Sequence, residues 1–486
     1  MFAMKTPVPP NPFGPGGLLE LEPAHTIHPR HVDGRHARWR LALLALTQAV
    51  FYGVPWLQIG GQPAVLLDLE ARRFFLFGAV LFPQDLIWLA LLLIVSALLL
   101  FFATALLGRV WCGFACPQTV YTALFTWIEH RCEGDRLARQ RLDAAPWTLT
   151  KLRRRGLKHA LWAAVSLWTG LTLVGWFTPM RELVPAALHA QLGPWEAFWT
   201  LFYGLATWGN AGFLREKVCQ HMCPYARFQG SLMDAHTLNV SYDPRRGEPR
   251  GKVSQAQGAC VDCTLCVQVC PAGIDIRHGL QSACINCGLC VDACDTVMDK
   301  LAQPRGLIRF ESLHTLAQPA PVTGWAAPGG LWRRVLRALR RPRVLLYGGL
   351  LGVSVCTLVI GLAQRPTLRV DAMRDRSVMA REVLDDAGQP QVENVYRLLV
   401  MNASAQGRTV SVSATSAAAG ALTVVDAAPV PMAPAEARHL TVRLRAPLTA
   451  LQAAGGAPGS ALPITWQVRD GATEVATTPS TLWLPR

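Results

Sequence analysis

Residues 260–294 read CVDCTLCVQVCPAGIDIRHGLQSACINCGLCVDAC and carry eight cysteines in two runs of C-x2-C-x2-C-x3-C. In two-cluster bacterial ferredoxins, three thiolates of such a run bind one iron-sulfur cluster and the fourth binds the neighbouring cluster. The spacing therefore predicts two [4Fe-4S] clusters. The first cluster is assigned to Cys260, Cys263, Cys266 and Cys294, and the second to Cys270, Cys284, Cys287 and Cys290.

A pair of structural zinc sites is the alternative for these cysteines. Zinc ligands, however, usually come as C-x2-C pairs that are separated by a longer gap or accompanied by histidine. Pro271 after Cys270 fits the ferredoxin pattern, whereas Asp295 after Cys294 departs from it. Because iron-sulfur clusters are electron carriers, the segment is predicted to conduct electrons.

The composition of the whole chain is that of a membrane protein. Its 486 residues are 51% hydrophobic and have a mean hydropathy of +0.24, which is apolar for a soluble protein. A transmembrane helix needs about 20 apolar residues, and five segments qualify: 40–60, 85–108, 159–178, 196–214 and 343–363. The shorter apolar stretch 117–130 is predicted to form an interfacial or re-entrant helix.

Lysine and arginine flank these segments on one side, which orients the chain by the positive-inside rule. The basic residues precede the first span, fill the loop after the second and crowd before the fifth. Residues 215–342, which include a ferredoxin-like domain at about 255–300, are therefore predicted to be cytoplasmic. The reducing cytoplasm also suits thiolate ligands. The net charge of +15 is concentrated at these membrane flanks and predicts no nucleic-acid partner.

The two ends of the chain differ from its centre. Residues 1–37 are rich in proline, glycine and histidine, and we predict a disordered cytoplasmic tail ahead of a four-span domain at 38–214. Four histidines of this tail are metal ligands or, as the irregular polar context favours, incidental: His25, His28, His31 and His36. After the fifth span at 343–363, residues 364–486 have no cysteine and show short apolar alternations at 395–400, 409–412 and 439–444. They predict a periplasmic, Ig-like β-sandwich.

A second cysteine pattern, C-x3-C-P, occurs twice at the predicted cytoplasmic membrane surface. Cys112, Cys116 and Pro117 follow the second span, and Cys219, Cys223 and Pro224 follow the fourth. If each pair is helical, its cysteines share one face. If each proline instead begins a new helix, Cys116 and Cys223 lie at helix N-termini, where the dipole and nearby cations lower a thiol pKa.

Either geometry brings up to four soft ligands together, and such ligands select Cu(I), zinc or a further iron-sulfur cluster. The alternative is that the thiols are buried structural cysteines. The repetition of the motif at equivalent ends of two spans favours a metal or redox role, to which Met222 could add a thioether. Cys132 and Cys356 belong to no motif and are assigned structural roles, and His159 and His221 are expected to be solvated or hydrogen-bonded.

Several segments together resemble the FixG/RdxA/CcoG family of cytochrome oxidase accessory proteins, which is similar to the wider polyferredoxins. The matching stretches are Leu69–Phe75, Trp111–Val120, Cys219–Gln229, the ferredoxin block with Asp292–Asp295, and Glu393–Tyr396. The resemblance covers the chain from about residue 30. Asp295, which breaks the generic ferredoxin pattern, is typical of this family.

The resemblance implies a multi-pass protein of the bacterial inner membrane that is needed to assemble a cbb3-type oxidase. It implies a cupric reductase that reduces Cu(II) to Cu(I), with copper ions, oxidase assembly proteins and copper-transport proteins as partners. Copper reduction is then expected near Cys112, Cys116, Cys219 and Cys223. A one-electron step that yields a soft, thiolate-binding ion is compatible with the residues.

Other functions are compatible with the same motifs. In a quinol dehydrogenase-like conduit, the spans bind a quinone and the clusters pass electrons to a redox partner. In a non-enzymatic scaffold or copper chaperone, the clusters serve only structure or sensing. No G-x-G-x-x-G fingerprint follows a predicted strand, which predicts a protein or a quinol as the electron donor. The side of copper reduction and the oligomeric state, including a homodimer, stay open.

Overall fold

The chain folds into two units, which we call the cluster unit and the sandwich unit. The cluster unit comprises Met1–Gly53, Leu91–Val174 and Glu182–Thr357, and the sandwich unit comprises Val54–Ala90, Gly175–Arg181 and Leu358–Arg486. The structure, a computed structural model, describes residues 27–252, 258–318, 330–375, 380–385, 387–404, 406–416, 422–425, 428–471 and 474–485. Most of the predicted disordered tail, including His25, lies outside these residues.

The helices and strands follow each other in a largely helical first part and a largely β second part. The helices are α1 (Arg35–Gly53), α2 (Leu86–Leu107), α3 (Val110–Phe114), α4 (Pro117–Glu133), α5 (Arg136–Ala144), α6 (Leu149–Val174), α7 (Met180–Leu188), α8 (Pro194–Gly209), α9 (Pro224–Leu232), α10 (Pro244–Gly247), α11 (Leu265–Gln268), α12 (Leu289–Lys300), α13 (Leu313–Ala317), α14 (Gly330–Leu339), α15 (Pro342–Ala363) and α16 (Leu448–Ala453). The strands are β1 (Gln58–Ile59), β2 (Gln62–Pro63), β3 (Val65–Asp68), β4 (Arg73–Leu76), β5 (Ala79–Leu81), β6 (Asn239–Tyr242), β7 (Ile308–Glu311), β8 (Leu368–Arg374), β9 (Arg381–Leu384), β10 (Pro390–Asn402), β11 (Arg408–Thr415), β12 (Thr423–Val425), β13 (Val430–Met432), β14 (Ala437–Pro447), β15 (Ala461–Asp470) and β16 (Glu474–Trp483).

Helices occupy all five segments predicted as membrane spans, but they differ in apolar length. Among the described residues, two helical segments are long and apolar enough to cross a membrane by themselves, Pro83–Leu107 and Pro342–Ala363. The other three are α1, α6 and α8. Arginines dilute the start of α1, the first turns of α6 are basic, and α8 has only 16 residues. The two apolar helices indicate membrane association, and the five-span topology stays a prediction.

The predicted short helix at 117–130 is present as α4, and its polar end is buried. Glu129 in its last turns accepts hydrogen bonds from Arg139 at 3.0 Å and from Arg215 at 2.5 Å. Both arginines and the glutamate are less than a tenth exposed. A buried carboxylate is tolerated only when it is paired in this way. The charge at the end of α4 therefore anchors the helix within the cluster unit.

The ferredoxin-like domain is built on an antiparallel pair, β6 and β7, against which α12 packs. Val240 and Tyr242 of β6, Ile308 of β7 and Met298 of α12 belong to one buried apolar core. Cys266 and the half-buried Cys260, Cys290 and Cys294 pack against the same core. Both cysteine runs are thus supported by a single core, which holds their backbones at a constant separation.

The described part of the N-terminal tail is ordered against this domain, unlike the disorder predicted for residues 1–37. The Asp292 carboxylate accepts hydrogen bonds from the backbone N–H groups of His36 and Ala37, at 3.2 and 2.7 Å, and contacts the His36 ring at 2.9 Å. An acidic group satisfies the unpaired N–H groups and the dipole at a helix start. The composition of the tail could not predict this contact, because the residue that caps the start of α1 lies more than 250 positions away in the chain.

The second unit contains the predicted β-sandwich. One sheet has the strand order β12-β14-β10-β8, with β9 also paired to β10, and the other has the order β13-β11-β15-β16. The alternations at 395–400, 409–412 and 439–444 fall in β10, β11 and β14, as expected for strands with one buried face. A smaller sheet of β3, β4 and β5 precedes the sandwich in sequence.

The centre of the sandwich is an aromatic pair whose removal we expect to be costly. Trp466 and Tyr396 are fully buried, with ring centroids 5.0 Å apart. Trp466→Ala is expected to lower the free energy of unfolding of the sandwich by about 3–5 kcal/mol. The full chain is titrated with urea, and the protease resistance of the sandwich is the signal that measures the change. The exposed Val475→Ala is the control, and its change is expected to stay within about 0.5 kcal/mol. Equal effects of the two variants would contradict the prediction.

Candidate iron-sulfur sites and the adjoining thiols

The structure brings the eight ferredoxin cysteines together as two groups of four. One cavity is lined by Cys260, Cys263, Cys266 and Cys294. A second cavity is lined by Cys270, Cys284, Cys287 and Cys290, and Cys266 also reaches its wall. In each group, the fourth thiol comes from the opposite run of the sequence, so the two sites are interlocked. These are the two sets that the spacing assigns to the two clusters.

A repeated backbone turn aims the thiols of each run at one point. In the first run, Asp262 and Thr264 adopt left-handed conformations, with φ values of 52° and 55°. At the corresponding positions of the second run, Asn286 and Gly288 have φ values of 54° and 76°. Residues with left-handed backbone conformations allow a loop to turn tightly. Each loop then continues directly into a helix, α11 or α12.

The chemistry of these groups fits iron-sulfur clusters. Burial raises the pKa of Cys284 and Cys294 to about 12, and that of Cys266 and Cys270 to about 11. Such thiols become ligands only when bound metal compensates the buried negative charge. Within the described ranges, no three His, Cys, Asp or Glu side chains are positioned to hold a single metal ion. Four thiols around a cavity suit a four-iron cluster better than a zinc ion.

The two C-x3-C-P motifs adopt the second of the two predicted geometries. Pro117 begins α4 and Pro224 begins α9, and Cys116 and Cys223 are the N-cap residues. Cys112 lies in α3, whereas Cys219 lies in the π-helical turn Val218–Met222. The four thiols are close enough to interact electrostatically, since Cys116, Cys219 and Cys223 all act on Cys112. The structure thus brings both motifs to one place.

The expectation that a helix N-terminus and nearby cations lower the thiol pKa is wrong for Cys116. Burial, followed by the neighbouring Cys116, raises the pKa of Cys112 to about 12 despite the opposing effect of Arg109. Burial likewise raises the pKa of Cys116, and it raises that of Cys219 to about 11. Desolvation outweighs the dipole because the thiols are covered by surrounding protein. A soft cation would relieve this cost by binding the thiolates.

The first C-x3-C-P motif lies directly against the loop of the second cluster. A Cβ atom on Gly113 would stand 2.6 Å from the carbonyl oxygen of Ile285 and 3.1 Å from Cα of Cys287. Only glycine permits such a close backbone approach. Sequence reasoning missed this role of Gly113, because nothing along the chain marks a residue whose partner is so distant. The contact places the residue that follows Cys112 against the loop that carries Cys287.

Two buried polar side chains hold this junction. The Arg109 guanidinium donates to the backbone carbonyl oxygens of Ser282 and Ala226, the latter at 2.6 Å. Asn286 accepts from the Val240 N–H at 3.1 Å, while its amide donates to the carbonyl of Leu107 at 3.3 Å. In the sequence Arg109 is only one of the cations near the C-x3-C-P cysteines, and nothing along the chain marks Asn286. Together they bridge the cysteine loop, both motifs and the end of α2.

The other residues singled out in the sequence lie apart from this junction. Met222 and His221 are exposed, and Cys132 packs in the core around Phe125. His159 stacks on Phe213, with ring centroids 5.9 Å apart. The tail histidine His28 contacts Asp143 at 2.9 Å, His31 is exposed, and Cys356 is exposed on α15. None of these residues lines either cysteine cavity.

Fold and site together define the chain as a membrane-associated iron-sulfur redox protein. Residues 89–133 match a family described as a 4Fe-4S binding domain, residues 214–313 a 4Fe-4S dicluster domain, and residues 358–485 the IG-like fold at the C-terminus of FixG. The chain belongs to the FixG/RdxA family. The nitrogen fixation protein FixG of Rhizobium meliloti is 37% identical over 421 residues, which cover 81% of this chain and 79% of FixG.

A second relative and a solved structure accompany this match. Protein RdxA of Cereibacter sphaeroides is 39% identical over 396 residues, which cover 79% of this chain and 81% of RdxA. A FixG-related protein from Vibrio parahaemolyticus, known from its crystal structure, is 18% identical and covers 25% of this chain and 98% of its own length, with a TM-score of 0.20. The family assignment comes from the two relatives that align over most of the chain.

Proposed function

We propose that this protein reduces Cu(II) to Cu(I) at the four C-x3-C-P thiols, as an assembly factor for a cbb3-type cytochrome oxidase in the bacterial inner membrane. In the proposed topology the chain has five spans, with the cysteine cavities in the cytoplasm and the sandwich in the periplasm. The basic residues that flank α1, α6 and α15 support this orientation. FixG is named for nitrogen fixation, and RdxA aligns with this chain over most of its length.

One observation carries the proposal: the backbone of Gly113 touches the Ile285–Cys287 loop. When bound, the two clusters supply one-electron reduction. The Gly113 contact brings the backbone that follows Cys112 against the loop that carries Cys287. Reduction of Cu(II) consumes one electron and forms Cu(I), with no proton or group transferred. Thiolates retain the softer product ion better than the harder substrate ion.

The residues around the thiols prepare the site for a cation. Cys112 donates a hydrogen bond to Gln229 at 3.4 Å, and Gln229 is itself fully buried. The amide of Gln229 donates to Thr104 and to the carbonyl of Gly108, both at 3.3 Å. Gln229 is therefore fixed by α2 and orients the Cys112 thiol. One ligand that is already held in position lowers the ordering cost of binding an ion.

Anaerobic mixing of the reduced protein with Cu(II) tests the function. The purified chain, reduced with dithionite and freed of excess reductant, is mixed with Cu(II) while the cluster absorbance and a Cu(I)-specific dye are followed together. We expect the absorbance to recover as Cu(I) appears, at one Cu(I) per electron. Clusters that stay reduced in the presence of Cu(II) would overturn the proposal and favour a conduit to another redox partner.

A matched variant separates the thiol site from direct reduction at the clusters. Cys116→Ser combined with Cys223→Ser removes one thiol from each motif and leaves the eight ferredoxin cysteines intact. The variant is expected to keep its full iron content and lose most of its Cu(I) formation, because only two of the four soft ligands for the product remain. An unchanged rate in this variant would show that copper is reduced elsewhere.

A further inference from the structure

The cluster unit contains a large cavity that adjoins the proposed copper site. Its volume is about 700 Å³, which is within the range of about 300–1,000 Å³ for small-molecule sites. The segment 27–33 and helices α1, α4 and α5 form much of its wall. The cysteine loops and the segment around Cys219 close it on other sides. A bound molecule would therefore contact both redox-active parts of the unit.

Part of the wall of this cavity is formed by residues that are adjacent in the sequence to the second cysteine group. Pro271, Ile285 and Leu289 line it, and each is the direct neighbour of a predicted cluster ligand, respectively Cys270, Cys284 and Cys290. Cys219 of the second C-x3-C-P motif lines it as well. The cavity is thus lined by residues one position away from the predicted ligands of the second cluster, which receives electrons from the donor in the proposed function. This position suits a small electron donor.

The lining is mainly apolar and has a few groups that can exchange protons. Leu41, Leu44 and Trp127 supply apolar surface, and Leu41 and Trp127 are more than half exposed. His31 and His130 also line the cavity, with ring centroids 6.1 Å apart. Imidazole is the side chain best suited to take up a proton near neutral pH. Such a lining fits a hydrophobic ring that carries hydroxyl groups.

The charges of the cavity agree less well with a polyphosphate ligand. Two of its arginines, Arg139 and Arg215, are already paired with the buried Glu129. Arg30, Arg38, Arg40 and Arg136 add positive charge, and Asp33, Asp135 and Glu216 oppose most of it. The sequence also has no nucleotide-binding fingerprint after a predicted strand. A flavin phosphate is therefore used as the competing ligand when quinone binding is tested.

We propose that this cavity binds the ring of a membrane quinol, which is the electron donor of the protein. The proposal rests on the proposed function, because it names the source of the electrons that reduce copper. Oxidation of one quinol to quinone releases two electrons and two protons. The two cysteine groups would hold the clusters that take up these electrons, one electron each, and the protons go to His130 and to solvent. Two Cu(II) ions are then reduced to two Cu(I) ions for each quinol that is oxidised.

Binding to the oxidised, iron-loaded full chain in detergent is measured first, with decylubiquinone as the probe and flavin mononucleotide as the competitor. Ala123 lines the cavity, and Ala123→Trp fills it. We expect this variant to weaken quinone binding by at least about tenfold, equivalent to about 1.4 kcal/mol. Ala144→Trp, on the exposed end of α5, is the matched control and is expected to bind like the parent chain. Trp127→Ala removes an exposed side chain from the cavity wall. It is the second variant, used if Ala123→Trp does not fold.

Anaerobic mixing with decylubiquinol then follows cluster absorbance without dithionite. Bleaching in the parent and in Ala144→Trp, and its loss in Ala123→Trp or Trp127→Ala, supports the donor site. Absent quinone binding, displacement by flavin mononucleotide, or equal binding by the cavity variants overturns it. Dithionite-driven Cu(I) formation is measured on the same samples. If quinone binds but dithionite-reduced protein leaves Cu(II) unreduced, the proposed function fails while the donor site stands.

Discussion

Cys287→Ala is expected to lower the iron content of the purified chain from about eight to about four atoms, since one of two [4Fe-4S] clusters loses a ligand. Cys287 lines the second cysteine cavity and is only 8% exposed. Its backbone also meets Gly113 of the first C-x3-C-P motif. Copper reduction by the dithionite-treated variant should therefore fall to the background rate. Iron and sulfide analysis, together with the Cu(I) dye assay, measure both effects.

The control for this variant is a cysteine outside both groups. Cys356→Ser changes an exposed thiol on α15 that lines neither cysteine cavity. It is expected to retain about eight irons and the parent rate of Cu(I) formation. Full iron content in Cys287→Ala would contradict the ligand assignment. Complete loss of iron would instead show that the two interlocked sites assemble together.

Gly113→Ala is expected to separate electron transfer from cluster binding. The added methyl group would stand 2.6 Å from the Ile285 carbonyl oxygen, so the backbones must move apart. Displacements of about 1 Å between reacting groups cost up to about a hundredfold in rate, and we expect at least about tenfold slower reoxidation of the clusters by Cu(II). Iron content should stay unchanged, since none of the ligands is replaced. Stopped-flow absorbance after mixing with Cu(II) measures the rate.

The matched control for Gly113→Ala is a helical glycine with open space around its Cα. Gly156→Ala in α6 adds a methyl group that meets no atom within 4 Å. Alanine is also the better helix former, so α6 is expected to tolerate the change. Reoxidation in this variant should match the parent. A parent-like rate in Gly113→Ala would show that electrons reach copper by another path.

The sequence predicted the features that depend on local spacing. The grouping of Cys260, Cys263 and Cys266 follows from three ligands within one short loop, and the strands at 395–400 and 439–444 follow from alternation along the chain. Helices are also present at all five predicted spans. Hydropathy alone did not establish all five as spans, because the arginines at the start of α1 and the short length of α8 weaken the signal.

The tertiary structure decided everything that depends on distant residues. Asp292 orders the chain at His36, Gly113 meets Ile285, and the pKa of Cys112 rises although a cation is nearby. The sequence by itself predicted the three thiols of each run that lie together, since their spacing is a property of one loop, whereas the fourth thiol of each group reaches it from the other run. Burial, close backbone approach and the cavity beside Pro271 arise only when separate segments pack together. Desolvation and contact energies depend on that packing, so no local pattern along the chain could predict them.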